Sequence, residues 1–402
     1  MSARATGTRA AAGGRPAPGA DAQADADARA VGAGGRFAHG MVIGKFYPPH
    51  SGHHFLIRAA ADACQRVTVV VMASRQESLP LADRVAWIAE RWSGDPHVVV
   101  AGIADDLEMD YASETAWAGH VALMRRAVES AEPAAPVDAV FSSEPYGTEL
   151  ARRFGAAPVL LDVGRDTFAV SGTKVRADPA AYWDEIEPPV RAALARRVVV
   201  LGAESTGTTT LSRDLAAALR ARGGPHASTG WVPEYGRELT VAKLAVARGR
   251  AAPGDPVPTV FDLEWTDADF ERVVRRQTEA EDRAARHGGP VLVCDTDALA
   301  TTVWQERYRG RTTAAVRDAA RAIAPRALYL LTDDGGVPFA DDGLRDGEHL
   351  RPWMTGRLRE VLAEAGVPWR EMRGDRHERL RRALAEVDAL LARGWGLADP
   401  LG

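Results

Sequence analysis

The chain has 402 residues, 46% hydrophobic and 26% charged, with a formal net charge of -5. That composition is ordinary for a soluble globular protein, exceeds one comfortable core, and gives no global electrostatic reason to bind nucleic acid. Two cysteines, Cys64 and Cys294, lie far apart without metal-ligand spacing, which argues against zinc or a disulfide framework and fits a reducing cytoplasm.

Residues 1–36 are Ala, Gly, Arg and Asp with almost nothing to bury and read as a disordered tail. The tail has no apolar secretory core and no helix-turn-helix pattern. From Phe37 onward, short apolar runs alternate with amphipathic stretches. The runs 66–72, 97–102, 137–143 and 157–163 read as strands buried on both faces, and 81–92 and 116–130 carry helical periodicity. Such alternation predicts a doubly wound parallel sheet with ligands at the carboxyl ends of its strands.

After the apolar run MVIG comes KFYPPHSGHH, Lys45 to His54. With the strand ending near Gly44 and a helix starting near Ser51, His50 and His53 lie beside a helix N-terminus, where open amides and the helix dipole favour anions. Gly52 allows close backbone approach. Two imidazoles, Lys45 and those amides suit nucleotide phosphates; two polar histidines on an exposed loop are the alternative. His54, next in the chain, reads equally as a solvated neighbour. Downstream, VSGTKVR (170–176) offers the hydroxyls of Ser171 and Thr173 and the charges of Lys174 and Arg176. The lysines of the chain are Lys45, Lys174 and Lys243, so two of the three fall in these motifs.

A second apolar strand, RRVVVLG (196–202), opens a second domain and leads into GAESTGTT, Gly202 to Thr209, then an amphipathic stretch. Strand, glycine-rich loop and helix are the parts of a P-loop, whose amides cradle phosphate while a hydroxyl, here Thr209, meets magnesium. Position 208 departs from the pattern: Thr208 stands where a P-loop has lysine. The loss either marks a degenerate, nucleotide-sensing domain or is made good elsewhere. Further along, PEYGRE offers Glu234 and Arg237, VLVCDTD ends an apolar run in Asp295 and Asp297, and DDGLRDGE (341–348) has the character of a kinase lid carrying Arg345. A strand-end cap for Asp295 and an exposed turn for the lid are the plainer readings.

GKFYPPHSGHH, FSSEPYG (141–147), DDLEMDYASETAW (105–117) and VSGTKVR together resemble the nicotinamide mononucleotide adenylyltransferases of the H-x-G-H nucleotidyltransferase superfamily. GAESTG, PEYGRE, CDTD and DDGLRDGE resemble the ribosylnicotinamide kinase domain of the NadR-type bifunctional proteins. The resemblance implies an α/β protein with an N-terminal Rossmann-like nucleotidyltransferase domain (37–190) followed by a P-loop kinase-like domain (196–402). It implies NAD biosynthesis from ATP, nicotinamide mononucleotide and nicotinamide riboside, with Mg²⁺. The alternative keeps an active adenylyltransferase beside a degenerate kinase domain.

By the same resemblance, His50, His53, Lys45, Arg176 and Asp295 are catalytic. Gly44, Phe46, Gly52, Ser143, Ser171, Thr173, Lys174, Gly202, Glu204, Ser205, Thr206, Gly207, Thr208, Thr209 and Arg345 bind ATP. Trp117, Glu234 and Arg237 meet the acceptor, although Trp117 is equally a core tryptophan, and Thr209 with Asp295 would hold the metal. The expected setting is cytoplasmic, without membrane or DNA, and compatible with a homo-oligomer.

Overall fold

The computed structural model describes residues 37–131 and 136–400, so the tail read over 1–36 lies outside the described residues. Chain contacts divide the protein into two units, Met1–Ser171 with Asp399–Gly402, and Gly172–Ala398. The division falls inside the VSGTKVR motif.

In the first unit, five strands form one parallel sheet in the order β3-β2-β1-β4-β5: β1 (Gly40–Gly44), β2 (Val67–Ala73), β3 (Val98–Ala104), β4 (Ala139–Ser142) and β5 (Ala157–Leu160). Met41 is in register with Thr68 on one side and Val140 on the other. Helices α1 (Ser51–Ala63), α2 (Leu81–Arg91), α3 (Glu114–Ala131) and α4 (Gly147–Phe154) connect the strands. Val42, Val69, Val71 and Phe141 on one face pack with Leu56, Ile57 and Ala60 of α1, while Met41, Val70 and Val140 pack with Met124 and Val128 of α3.

Every residue of β2 is buried, as an apolar run between two helical layers requires. β3 and β5 depart from the expectation of strands buried on both faces. Both are edge strands, and part of each stays exposed, including Leu160.

The second unit repeats the plan. Its parallel sheet runs β10-β9-β6-β8-β7: β6 (Arg196–Gly202), β7 (Gly230–Val232), β8 (Val291–Asp295), β9 (Leu328–Thr332) and β10 (Trp369–Met372). Its helices are α5 (Gly172–Ala177), α6 (Pro188–Leu194), α7 (Thr208–Arg220), α8 (Tyr235–Arg250), α9 (Asp267–His287), α10 (Ala298–Arg309), α11 (Ala314–Arg321), α12 (Arg351–Glu364) and α13 (Arg376–Ala392). Val198, Val200, Val293 and Leu330 bury one sheet face against Leu211, Leu215, Ala383 and Val387. Ahead of β6, the Trp183 indole donates to the Gly288 carbonyl at 2.7 Å, which ties the segment before the sheet into this unit. Among the described residues, no helix is long and apolar enough to cross a membrane.

Both sheets leave their carboxyl ends at a switch point. β1 and β4 lie side by side while the chain leaves them in opposite directions, and the same holds for β6 and β8. Such crevices are where open parallel sheets take ligands. KFYPPH follows β1, Ser143 follows β4, the P-loop follows β6, and Asp295 ends β8.

Candidate functional site

In the first unit the strand-to-helix turn is held by its own histidines. His50 is the residue before α1, and its carbonyl accepts the amides of His53 (2.9 Å) and His54 (3.2 Å). The His50 amide donates to His53 Nδ1 at 3.3 Å, closing a capping box in which imidazole replaces the usual carboxamide or carboxylate. Because Nδ1 accepts, a neutral His53 must carry its proton on Nε2, leaving an N–H donor. The two rings lie 3.7 Å apart at 32°, and Phe46, at φ 45°, places its ring 4.8 Å from His53.

Burial, with neighbouring histidines and Arg165 adding like charge, lowers His50 to about 3 and holds His53 well below the ordinary histidine value. Both imidazoles are therefore neutral at pH 7. His54 is not the solvated neighbour that its place in the motif allows. It is buried and accepts the Trp92 indole N–H at 3.2 Å, which makes it a core histidine. A side chain on Gly52 would begin 3.3 Å from the His50 ring, so this glycine lets the turn close on the histidine.

Lys45 owes its position to a buried pair. Arg84 and Glu77 form an ion pair at 2.6 Å with both side chains fully buried, and Lys45 Nζ approaches the same carboxylate at 3.7 Å. Arg84 also donates to the Lys45 carbonyl (Nη1, 2.9 Å) and the Leu79 carbonyl (Nε, 2.9 Å), with its guanidinium over the Tyr47 ring. Sequence reasoning missed both residues, since a Glu and an Arg in polar stretches carry no signal that they will be buried. We expect Arg84→Ala to cost the first unit about 3–5 kcal/mol, because it strands the buried Glu77 charge. Denaturant unfolding followed by fluorescence checks this.

Trp117, on α3, is 7% exposed, its indole donating to the Tyr111 carbonyl at 3.1 Å and Arg153 covering one face. Tyr111 beside it is exposed and stacks on Tyr146 at 6.0 Å. Thr173, Lys174 and Arg176 lie on α5, and Arg176 Nη2 donates to Thr173 Oγ1 at 3.3 Å.

In the second unit, the P-loop takes the form its glycine predicts. Gly207 at φ 89° and Ser205 at φ 57° turn the chain into α7, and a Cβ on Gly202 would lie 2.1 Å from Thr332 Oγ1. The buried Thr206 hydroxyl donates to the Ala203 carbonyl at 2.7 Å and bonds Thr332, while Arg379 donates to the Thr206 carbonyl at 2.5 Å. The Thr206 side chain therefore braces the loop and does not line the pocket.

A cavity of about 110 Å³ opens beside the loop, lined by Glu204, Ser205, Thr208 and Thr209, by Glu234 and Arg237, by Asp295, and by Arg345. Thr209 Oγ1 donates to Asp295 Oδ2 at 2.6 Å. Burial raises Asp295 to about 6, and burial together with the Asp295 charge raises Glu234 to about 8. Glu234 thus holds its proton to higher pH than Asp295, an ordering that favours Asp295 as acceptor and Glu234 as donor. The second aspartate of CDTD plays a structural part. Asp297 caps α10 through the amides of Leu299 and Ala300 and accepts the Tyr329 hydroxyl at 2.7 Å.

The far wall is aromatic, and sequence reasoning missed it. Trp265, Phe270, Trp304 and Tyr308 line the same cavity, with Trp265 5.4 Å from Tyr308 and Trp304 stacked on Tyr308 at 6.4 Å. The spacing of Trp304 and Tyr308, four apart on α10, is the signal that would have found half of it. Arg307, paired with Glu204 at 3.2 Å and with Asp346, packs against both rings.

An H-x-G-H turn on a Rossmann-like sheet, followed by a P-loop sheet with an acidic and aromatic pocket, defines a two-part nucleotide-handling α/β protein. An AAA domain model matches residues 197–379. The trifunctional NAD biosynthesis/regulator protein NadR of Escherichia coli (strain K12) is 24% identical over 346 residues, 82% of this chain and 77% of the relative. The NadR protein of Salmonella typhimurium is 23% identical over 343 residues, with the same coverage of each chain. The crystal structure of NadR protein in complex with NR matches at a TM-score of 0.67 and 22% identity, covering 89% of this chain and 96% of that one. A NadR complex with NAD and AMP-PNP gives 0.66 and 21%, with the same coverage. The chain is a homologue of the NadR proteins and shares their two-sheet fold.

Proposed function

We propose that this chain is a two-reaction enzyme of NAD biosynthesis: a nicotinamide mononucleotide adenylyltransferase in its first unit and a nicotinamide riboside kinase in its second. Homology to NadR proteins, one solved with NR and one with NAD and AMP-PNP, supports both activities. The observation that carries the proposal is the pocket of the second unit, where phosphate-cradling loop, carboxylate and aromatic wall face one space.

In the kinase reaction, the 5′-hydroxyl oxygen of the riboside bonds to the γ-phosphorus of ATP. The bond to the bridging oxygen breaks, its electron pair leaves on ADP, and Asp295 takes the hydroxyl proton. Glu234, held toward its protonated form by burial, hydrogen-bonds the ribose, and Arg237 lines the same pocket. The nicotinamide ring of the riboside is a cation, and Trp265, Trp304 and Tyr308 give it aromatic faces. Glu204 adds negative charge at the loop. The hydroxyl and carboxylate of Thr209 and Asp295, 2.6 Å apart, are the hard oxygen donors that suit Mg²⁺ arriving with ATP, where it would neutralise phosphate charge.

In the adenylyltransferase reaction, a phosphate oxygen of the mononucleotide bonds to the α-phosphorus of a second ATP. The bond to the β-phosphate breaks and the electron pair leaves with pyrophosphate. His53 Nε2–H and His50 donate to phosphate oxygens as charge develops, next to the amides at the start of α1. Lys45 adds charge from the end of β1, and Gly44, Phe46, Gly52 and Ser143 border the same crevice. Ser171, the last residue of this unit before α5, is assigned to the triphosphate on the motif resemblance. Neither reaction forms a covalent enzyme intermediate, and both rely on alignment. Two free, buried cysteines fit a cytoplasmic enzyme.

Two separate assays test the assignment. ATP with nicotinamide mononucleotide should give NAD and pyrophosphate, and ATP with the riboside should give the mononucleotide and ADP. A protein that performs neither reaction refutes the assignment; one that performs only the first has a degenerate second unit.

The neutral histidines have a pH consequence. Their folded values lie below the ordinary one, so the unfolded chain binds protons first as pH falls. Stability is therefore lost downward from about pH 6.5 toward about 3. ATP should protect, since bound phosphate favours the charged imidazoles. Melting midpoints of the first unit at about pH 7.5 and 5, with and without ATP, measure this.

A further inference from the structure

A P-loop without lysine must obtain its charge elsewhere, because charge accumulates on the β- and γ-phosphates as the bond between them breaks. Among the described residues lining the pocket of the second unit, the fixed cations are Arg237 and Arg345. Arg379 and Arg307 also stand near the loop, but their donors are committed. Arg379 gives Nη1 to the Thr206 carbonyl, Nε to the Gly374 carbonyl (2.8 Å) and Nη2 to the Asp333 carbonyl (2.8 Å), which makes it a buttress. Arg307 is paired with Glu204 and Asp346.

Arg345 is placed differently. It lies on the exposed segment between β9 and α12; its Nη1 donates to Ser205 Oγ at 3.1 Å and to the Ala340 carbonyl of its own turn, so its remaining partner is the Asp342 carboxylate. The same hydroxyl oxygen accepts the Ala340 amide at 2.7 Å, so one P-loop side chain fixes both ends of the turn that carries the arginine. Asp342 pairs with Arg345 at 3.7 Å and also with Arg237. A carboxylate shared between two guanidinium groups is a phosphate-like occupant that an incoming phosphate can displace. Threonine at position 208 lines the pocket beside Thr209, but its short neutral side chain brings no charge to it.

We propose that Arg345 supplies the positive charge that Thr208 lacks, delivered from the β9–α12 segment and held ready by Ser205 and Asp342. The proposal rests on the kinase assignment of the second unit and adds to it the identity of the substitute cation. A guanidinium anchored at Ser205 enters from outside the P-loop, so its charge and that of a lysine at 208 serve the same phosphates and are interchangeable.

The test is a double-mutant cycle on riboside phosphorylation with the full-length chain: wild type, Arg345→Ala, Thr208→Lys, and both together. Arg345→Ala should lower kcat about 100-fold or more, with a smaller rise in the KM for ATP. Adding Thr208→Lys should return the Arg345→Ala enzyme to within about tenfold of wild type. Arg345→Lys should keep more activity than Arg345→Ala. Adenylyltransferase turnover of the same preparations and their melting curves report whether each variant is folded. The proposal is overturned if Arg345→Ala stays within about threefold of wild type, or if it costs the same factor with and without Thr208→Lys. Activity in wild type with either of those results removes the substitute cation alone. Absence of riboside phosphorylation from wild type and Thr208→Lys alike removes the kinase assignment and the proposal with it.

Discussion

His53→Ala should lower adenylyltransferase turnover about 1,000-fold while leaving riboside phosphorylation within about twofold of wild type. Two losses combine in that figure. The Nε2–H donor disappears, and so does the Nδ1 acceptor that holds the His50 amide, so the turn carrying the second imidazole loosens. His53→Asn keeps an N–H donor near the same place and should recover part of kcat. His53→Gln, whose longer side chain satisfies the capping geometry better, separates the cap from the phosphate contact. Pyrophosphate release and ADP release, measured on one preparation, give both rates. Equal loss of both activities would mean that the two units do not work independently.

Asp295→Asn is the mirror experiment. The carboxamide is isosteric and keeps an oxygen for Thr209, but it cannot take a proton at neutral pH, and it removes the charge that would hold a metal ion. Kinase turnover should fall about 1,000-fold with the adenylyltransferase unaffected. Stability should change little or improve. Asp295 is held above the usual aspartate range chiefly by burial, so its charge is an expense of the folded state rather than a support for it. A rise in melting temperature together with a collapse in turnover is the signature of a residue kept for chemistry. Full kinase activity in Asp295→Asn would place the proton acceptor elsewhere.

Much of this arrangement was legible in the residues because its chemistry is local. His50, Gly52 and His53 lie within four positions, so strand end, turn and helix start fix their relation. The P-loop is equally local, and the apolar runs of β2, β6 and β8 announce themselves as central strands. Contacts across long separations were not legible. Arg84 and Glu77, which hold Lys45, sit in a stretch that reads as exposed, and nothing in their spacing predicts full burial. Trp265 and Phe270 meet Trp304 and Tyr308 only because α9 and α10 pack together. Periodicity also reports burial, not position in a sheet. β3 and β5 look like inner strands by composition and are edges because topology places them there. Arg345 was readable as a lid arginine, but its hold on Ser205 spans 140 positions and belongs to the fold.

The two assigned reactions share an intermediate, so one tracer follows both. Purified chain given nicotinamide riboside and ATP labelled at the γ-phosphate should produce NAD labelled in the phosphate attached to the nicotinamide ribose, together with unlabelled ADP. The label can reach that position only if the second unit phosphorylates the riboside and the first unit then transfers an adenylyl group to the product. Labelled mononucleotide that never becomes NAD would contradict the assignment of the H-x-G-H unit, and recovery of the riboside with no labelled nucleotide would contradict the kinase assignment of the second unit.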